Sequence, residues 1–285
     1  MQYESTTLTT RNGLRARVAR LSLYQLARSL WLNRKLVFEL SRRELFDLHA
    51  GQLGGAVWLL VHPLLQFSTY AFLFTFVFKA RIGNSGPEFY IIYLIAGLSP
   101  WLLTQDSLIR GSQSLISNAN VVKKVMFPTE VLVAKTVLTG FVIQSVLLSL
   151  GVVGAILVFG MVPASFALLP FAIGCIGLLG LGLALFFSVV TAYLRDTFEV
   201  LRVFVMVNVY LIPVMYLPEW VPERFQFVLW LNPFSHLVWC FQDALFFRQI
   251  IHPWSWIIFP TFSVAAFAFG ATIFMRLRQH VSSVL

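Results

Sequence analysis

The feature that most constrains the fold of this chain is an uncharged stretch from Phe166 to Tyr193. A run of this length can cross the hydrocarbon core of a bilayer as one helix, which needs about 20 apolar residues. Hydrophobic residues make up 58% of the 285 residues, and charged residues make up only 12%. That charged fraction is about half of what a soluble domain carries. The chain is therefore predicted to be an all-α integral membrane protein.

Six predominantly apolar stretches, this one included, predict six transmembrane helices. They cover residues 51–78, 89–109, 131–159, 166–193, 198–217 and 254–275. Each offers the roughly 17–25 residues, or more, that a tilted helix needs. The fifth stretch differs from the others because Glu199 and Arg202 lie near its start and Pro213 lies near its end.

The 21 Lys and Arg residues fall unevenly on the two sides of these spans. Only four lie on the side opposite the termini, and these are Lys79, Arg81, Arg224 and Arg248. Because positively charged loops stay in the cytoplasm, both termini are predicted to be cytoplasmic, in a plasma (inner) membrane. The net charge of +9 is then an orientation signal, and no nucleic-acid partner is expected. Residues 1–50 form a cytoplasmic arm, residues 51–276 the transmembrane domain and residues 277–285 a cytoplasmic tail.

The N-terminal arm is predicted to contain amphipathic helix. Apolar residues recur there with helical spacing, at Leu23, Leu26, Ala27, Leu30 and Trp31. This pattern is typical of a helix lying in the headgroup layer of membrane lipids, and a plain basic anchor is an equally open interpretation. Residues 37–49 mix acids, bases and apolar side chains, which suits contact with a protein better than contact with lipid.

A short basic insert, residues 117–128, separates the second and third predicted spans. Lys123 and Lys124 keep it out of lipid, yet it carries more apolar residues than a solvated loop needs: Val121, Val122, Val125, Met126 and Phe127. This combination predicts a short helix pressed against a partner at the membrane surface. The chain has no G-x-x-x-x-G-K-[ST] loop, so it cannot bind ATP by that device.

The segment from Leu217 to Pro253 is too long for a turn and is rich in aromatic residues. Two short helices over residues 218–247, one on either side of Asn232–Pro233, would bury these rings in the outer interface as re-entrant elements. An aromatic belt is the simpler interpretation. The functional interpretation is an outer gate or stacking surface made by Trp220, Phe225, Trp230, Trp239 and Phe241.

The spans hold few groups able to do chemistry. Asp106 and Arg110 have the i, i+4 spacing of a structural ion pair, and His62 precedes Pro63 at a predicted kink. Cys175 and Cys240 are far apart in sequence, and no His/Cys cluster has the spacing of metal ligands. The sequence therefore predicts no catalytic residue and no metal site.

Several short motifs occur in a specific order between about residues 40 and 250. They are Arg42-Arg43-Glu44-Leu45, Leu53-Gly54, Trp58, Pro63-Leu64-Leu65, Gly97-Leu98-Ser99-Pro100-Trp101, residues 118–128, Arg195-Asp196, Pro213-Val214-Met215-Tyr216 and Asn232-Pro233. In these motifs the chain resembles ABC-2 type permeases for polysaccharide export. Members include Wzm-like O-antigen, KpsM-like capsule and TarG-like teichoic acid exporters.

The resemblance implies a homodimer that works with two copies of a separate ABC ATPase. That partner would use ATP and Mg, and this chain would bind no cofactor. The family's coupling helix would fall on the residues Asn118, Asn120, Val121, Val122, Lys123, Lys124, Val125, Phe127 and Pro128. Its gate helix would fall on about residues 36–47, with a lipid-diphosphate entrance at Lys35, Arg42, Arg43 and Glu44.

The substrate implied by the resemblance is a polyprenyl-diphosphate-linked polysaccharide: O-antigen, teichoic acid or cell-wall galactan. Other classes of protein remain open at this point. An ABC-2 exporter of a drug or ordinary lipid would share the fold. A membrane transferase acting on polyprenyl lipids would need an acid/base cluster, and a membrane scaffold would not need the apolar cytoplasmic insert.

Overall fold

The computed structural model describes residues 23–48, 51, 54–82, 86–124 and 127–285, and the regular structure of these ranges is entirely helical. The α-helices of these ranges are α1 (residues 23–32), α2 (Arg34–Asp47), α3 (Trp58–Phe72), α4 (Pro87–Ser117), α5 (Ala119–Lys124), α6 (Thr129–Phe159), α7 (Leu169–Tyr193), α8 (Thr197–Leu211), α9 (Glu223–Leu231), α10 (Pro233–Gln242) and α11 (Ser255–Val284). Short 3-10 turns lie at Gly55–Val57, Ala164–Leu168 and Pro218–Trp220, and π turns at Leu73–Val77 and Asp243–Phe247 prolong α3 and α10.

Four helical segments of the described residues are long and apolar enough to cross a membrane. They are Trp58–Val77, Thr129–Phe159, Ala164–Tyr193 and Ser255–Arg278. These segments match the first, third, fourth and sixth predicted spans. The all-helical membrane class expected from the sequence is thus confirmed, with four candidate spans.

The first predicted span begins later than expected. α3 starts at Trp58 and not at residue 51, because Gly51 and Gly55 have φ values of 83° and 46°. Such left-handed backbone interrupts a right-handed helix. At the other end of the chain, α11 continues to Val284, so most of the predicted tail is helical.

α4 contains the second predicted span and forms the centre of the protomer. Its residues 92–104 are all buried, and it packs against α6, α7, α8 and α10. The hydroxyl of Tyr93 donates to the carbonyl oxygens of Pro213 (3.2 Å) and Tyr216 (2.9 Å), which lie beyond the end of α8. α4 therefore combines a membrane-spanning length with a buried tyrosine whose partners lie in the non-helical segment after α8.

The fifth predicted span, residues 198–217, extends beyond the end of its helix. α8 ends at Leu211, and Ile212 is extended with φ −115° and ψ 150°. Pro213 explains this ending, because a proline disfavours helical backbone in the residue before it. At 1.5 Å per residue α8 is about 22 Å long, which is less than the ~30 Å hydrocarbon core.

The ends of five helices meet in one apolar cluster, which we call the α5 end of the bundle. Leu26 of α1 is fully buried there, with Leu23 and Leu30 packed against the same cluster. The other members are Leu115, Val133, Val137, Ala184, Leu185, Val189, Ala192, Ala271, Phe274, Met275 and Val281. Three residues of the predicted apolar face of α1, Leu23, Leu26 and Leu30, thus pack on protein, whereas Ala27 and Trp31 are exposed.

α7 and α11 approach each other closely where two glycines face each other. A Cβ atom at Gly270 would collide with the carbonyl of Gly182, and one at Gly182 would collide with the backbone at Phe267. This crossing leaves no room for a side chain, so the two backbones are in direct contact.

Candidate functional site

α2, the predicted gate helix, is fixed to the bundle by charged groups. Glu44 lies 2.6 Å from Arg110 of α4 and 3.1 Å from Lys135 of α6. These three side chains are largely buried, and Asp106 adds a second carboxylate 3.7 Å from Arg110. A hydrogen bond of 3.0 Å between Ser41 and Thr139 completes the attachment of α2. The sequence placed Glu44 at a lipid-diphosphate entrance, whereas its carboxylate binds two cations of the same chain.

The basic residues of the predicted entrance lie on the exposed side of α2. Lys35, Arg42 and Arg43 are all exposed. Arg43 lies 3.4 Å from Asp47 in an i, i+4 pair that is open to solvent. These cations remain accessible to an anionic group from outside the protomer, unlike Arg110 and Lys135.

A second polar cluster ties the ends of the chain together. Glu130, at the start of α6, is 1% exposed. It accepts a hydrogen bond of 2.6 Å from Ser29 of α1 and one of 2.9 Å from Arg278 of α11. Sequence reasoning missed this cluster, because no local pattern connects residues that are 101 and 148 positions apart.

The predicted coupling insert forms a one-turn helix, α5, held to the bundle by two of its residues. Asn118 donates from Nδ2 to the carbonyl of Ser114 (2.7 Å) and joins α4 to α5. Val122 is only 9% exposed, and α5 packs against α11. Among the predicted coupling residues, the side chains that reach the surface are those of Asn120, Val121 and Lys123, with Phe127 and Pro128 partly exposed. Val125 and the side chain of Lys124 lie outside the described residues.

The five predicted outer aromatic residues divide into two groups. Trp220, Phe225 and Trp230 are 47%, 49% and 48% exposed. Trp239 and Phe241 are enclosed in the protomer, with exposures of 0% and 1%. These two rings therefore pack the core and do not present a face to a passing ligand, which corrects the set drawn from the sequence.

The two short helices predicted around Asn232–Pro233 are present as α9 and α10. The side chain of Asn232 caps α10 by accepting from the backbone N–H of Phe234 (3.0 Å), and its Nδ2 donates to Asn208 of α8 (2.7 Å). His236 lies 3.0 Å from the carbonyl of Trp230 and 2.9 Å from the Ser255 hydroxyl, so it joins α9, α10 and α11. Burial lowers the pKa of His236 and keeps its ring neutral.

Asp243 is another buried carboxylate whose partners are all in the same chain. It accepts from the ring Nδ1 of His252 (2.8 Å), from the backbone N–H of His252 (3.0 Å) and from the indole of Trp256 (3.1 Å). Glu44, Glu130 and Asp243 are thus all engaged in structural contacts. In the described part of the chain, no group of three or more His, Cys, Asp or Glu residues could hold a metal ion.

A groove of ≈ 220 Å³ lies between α3, α4 and α8. Amide and phenol groups line it together with apolar residues, and the polar members are Gln66, Tyr70, Gln105 and Tyr210. The flanking faces of α3 and α8 expose large apolar side chains, including Phe72, Phe76, Val203, Met206 and Val207. An apolar face of this extent on a membrane helix can pack against lipid or against another protein chain.

The helical bundle and its four candidate spans define an integral membrane protein. Its sequence matches the ABC-2 type transporter family over residues 36–246, most of the chain, and the protein belongs to that family. The O-antigen export system permease protein RfbA of Klebsiella pneumoniae is 24% identical over 253 residues, which are 88% of this chain and 95% of that protein. Another K. pneumoniae RfbA is 25% identical over equal shares, and RfbA of Myxococcus xanthus is 30% identical over 117 residues, or 41% of this chain and 43% of that protein.

Proposed function

We propose that this chain is the permease subunit of an ATP-driven exporter of polyprenyl-diphosphate-linked polysaccharide. The observation that carries this proposal is the similarity to an O-antigen export permease, which extends over 95% of that protein. The groove between α3, α4 and α8 supports it, because amide and phenol groups suit the hydroxyls of a glycan. O-antigen, teichoic acid and cell-wall galactan all fit this chemistry.

The proposed topology has six spans, both termini in the cytoplasm and the α5 end at the cytoplasmic face of the inner membrane. α4 would add the second span to the four apolar ones, and α8, which is about 22 Å long, would form the fifth together with the non-helical residues 212–217 that follow it. The excess of Lys and Arg on the side of the termini supports this orientation. α9 and α10 are too short to span a bilayer and would dip into its outer interface as re-entrant helices.

The proposed assembly is a homodimer with two copies of a separate ATPase subunit. The exposed apolar faces of α3 and α8 would meet those of a second copy and enclose the groove in a channel. ATP and Mg would be bound by the ATPase alone. The exposed cations Lys35, Arg42 and Arg43 would attract the lipid diphosphate at the cytoplasmic entrance.

The ATPase would engage the surface of α5 made by Asn120, Val121 and Lys123. Because Asn118 joins α5 to α4, and α5 packs against α11, a push on this surface would move those two helices as rigid bodies. The buried Val122 would transmit the force within the chain and would not touch the partner.

Two measurements test this function. Depletion of the protein should cause one lipid-linked glycan to accumulate inside the cell, and its analysis identifies the cargo. Accumulation of a drug or an ordinary lipid in its place would refute polysaccharide export.

Exchange of the exposed Val121 for aspartate should reduce co-purification of the ATPase and slow export. The same exchange at the partly exposed Val221, which follows the Pro218–Trp220 turn on the proposed outer side, is the control and should leave co-purification unchanged. Equal co-purification for both variants would refute the coupling role of α5.

A further inference from the structure

A second cavity lies beside α3, next to the groove, with Gln66 lining both. This cleft has a volume of ≈ 410 Å³ and runs between α3, α4 and α6, with Leu48 after α2 at its edge. Its polar lining is Trp58, His62, Gln66, Thr69, Asp106, Arg110 and Gln144. A cleft of this size falls in the range of small-ligand sites, which is about 300–1,000 Å³.

Two acceptor atoms on residues of the cleft are buried without a hydrogen-bond donor. They are Oδ2 of Asp106 and Oε1 of Gln144, and neither accepts a hydrogen bond from the described residues. Buried acceptors of this kind are normally satisfied by protein, water or ligand. Neither atom is accessible from the cleft, so the polar groups that a ligand there would meet first are the exposed amide of Gln66 and the exposed hydroxyl of Thr69.

The charge of the cleft argues for a neutral ligand. Arg110 lies 2.6 Å from Glu44 and 3.7 Å from Asp106, so two carboxylates compensate its guanidinium group. A free diphosphate would meet these carboxylates and no uncommitted cation of α4 or α6. It would find such cations on the exposed side of α2, at Lys35 and Arg42.

The remaining groups of the cleft match the chemistry of a sugar ring. Trp58 is partly exposed and offers an aromatic face, with the ring of His62 at a centroid distance of 5.5 Å. Amide and hydroxyl groups of Gln66, Thr69 and Gln144 surround the cavity. An apolar ring face beside a few polar groups that fix orientation is the usual composition of a small-ligand pocket.

We propose that this cleft binds one pyranose residue of the exported glycan before that residue reaches the groove. The proposal rests on the proposed export function. Gln66 lines both cavities and so connects the cleft to the groove between α3, α4 and α8. The cleft thus binds a neutral sugar ahead of the groove, whereas the diphosphate binds at the exposed cations of α2.

Binding of methyl glycopyranosides to the full-length chain in nanodiscs tests this inference. Saturation-transfer NMR with the methyl glycosides of glucose, galactose, mannose and N-acetylglucosamine should show contact of at least one sugar with the protein. Exchange of Gln144 for leucine removes one amide group from the lining of the cleft and should weaken that binding about fivefold, the loss of one net hydrogen bond. Ser145→Ala is the matched control, because this exposed hydroxyl bonds to Val142 of its own helix and should not affect binding.

Thr69→Val provides a second variant in case Gln144→Leu does not fold, and it should also weaken sugar binding. The inference is overturned if no glycoside binds, if both cleft variants bind as the wild type does, or if inorganic pyrophosphate displaces the sugar. Failure of the cleft and failure of the export function remain distinguishable. Depletion of the chain reports on export. If depletion causes the lipid-linked glycan to accumulate and yet no glycoside binds to the protein, the sugar site in the cleft is refuted and the export function is not.

Discussion

Exchange of Glu44 for glutamine should destabilise the protein by about 2–3 kcal/mol, because it removes one charge from a network of four. Glu44 is 19% exposed, and its partners Arg110 and Lys135 are 24% and 13% exposed. Each charge-assisted contact contributes about 1.5–3 kcal/mol, and the loss would leave two partly buried cations with Asp106 alone. Glutamine keeps the shape and one acceptor, so the loss should fall below the ~3–5 kcal/mol of a fully buried pair.

Reversible unfolding of the chain by SDS in mixed micelles, followed by tryptophan fluorescence, measures this change. Arg43→Gln is the matched control on the same helix, because its pair with Asp47 has exposures of 79% and 64%. An exposed pair of this kind should change the free energy of unfolding by less than ~1 kcal/mol. Equal losses for the two variants would refute the argument that burial of the Glu44 contacts fixes α2. The double variant of Glu44 and Arg110 should lose less than the sum of the single variants.

Three further changes test other contacts, the first two by the same unfolding measurement and the third by hydrogen exchange. Gly270→Ala should cost about 1–3 kcal/mol by forcing α11 away from α7, whereas Gly174→Ala, with open space around it, should be neutral or stabilising. Asn232→Ala should lower the free energy of unfolding by about 1–2 kcal/mol, because it removes the cap of α10 and the bond to α8. Acidification should loosen the α9–α10 pair. The folded pKa of His236 lies below its ordinary value of 6.5, so the unfolded chain binds more protons and stability falls as the pH drops through 6.5. Hydrogen exchange of α10 at several pH values should show this loss, and exchange that does not depend on pH would contradict it.

Much of the helical framework could be predicted from the sequence, because it depends on local patterns. Apolar runs predicted the four candidate spans of the described residues, and the i, i+4 spacing of Asp106 and Arg110 predicted an ion pair that the structure shows at 3.7 Å. The break at Asn232–Pro233 gave two short helices. The end of α8 could also have been predicted from the sequence, because Pro213 disfavours helical backbone at Ile212.

The contacts between helices could not be predicted in this way. Glu44 and Arg110 are 66 positions apart, and nothing in either local pattern indicates their pairing. The aromatic residues show the same difficulty. Trp230 and Trp239 both lie in short helices rich in rings, yet one is half exposed and the other fully buried. Only the packing of α10 against α4 and α11 decides which ring enters the core.

The glycine contact between α7 and α11 has a mechanical consequence. Gly270 lies near the middle of α11, with about 22 Å of helix toward Ser255 and about 21 Å toward Val284. The contact can therefore act as a fulcrum with two arms of nearly equal length. A tilt of α11 that shifts Arg278 in one direction would shift Ser255, and with it His236, in the opposite direction. Through this lever, displacement at the α5 end would reach the α9–α10 pair without any change in helix length.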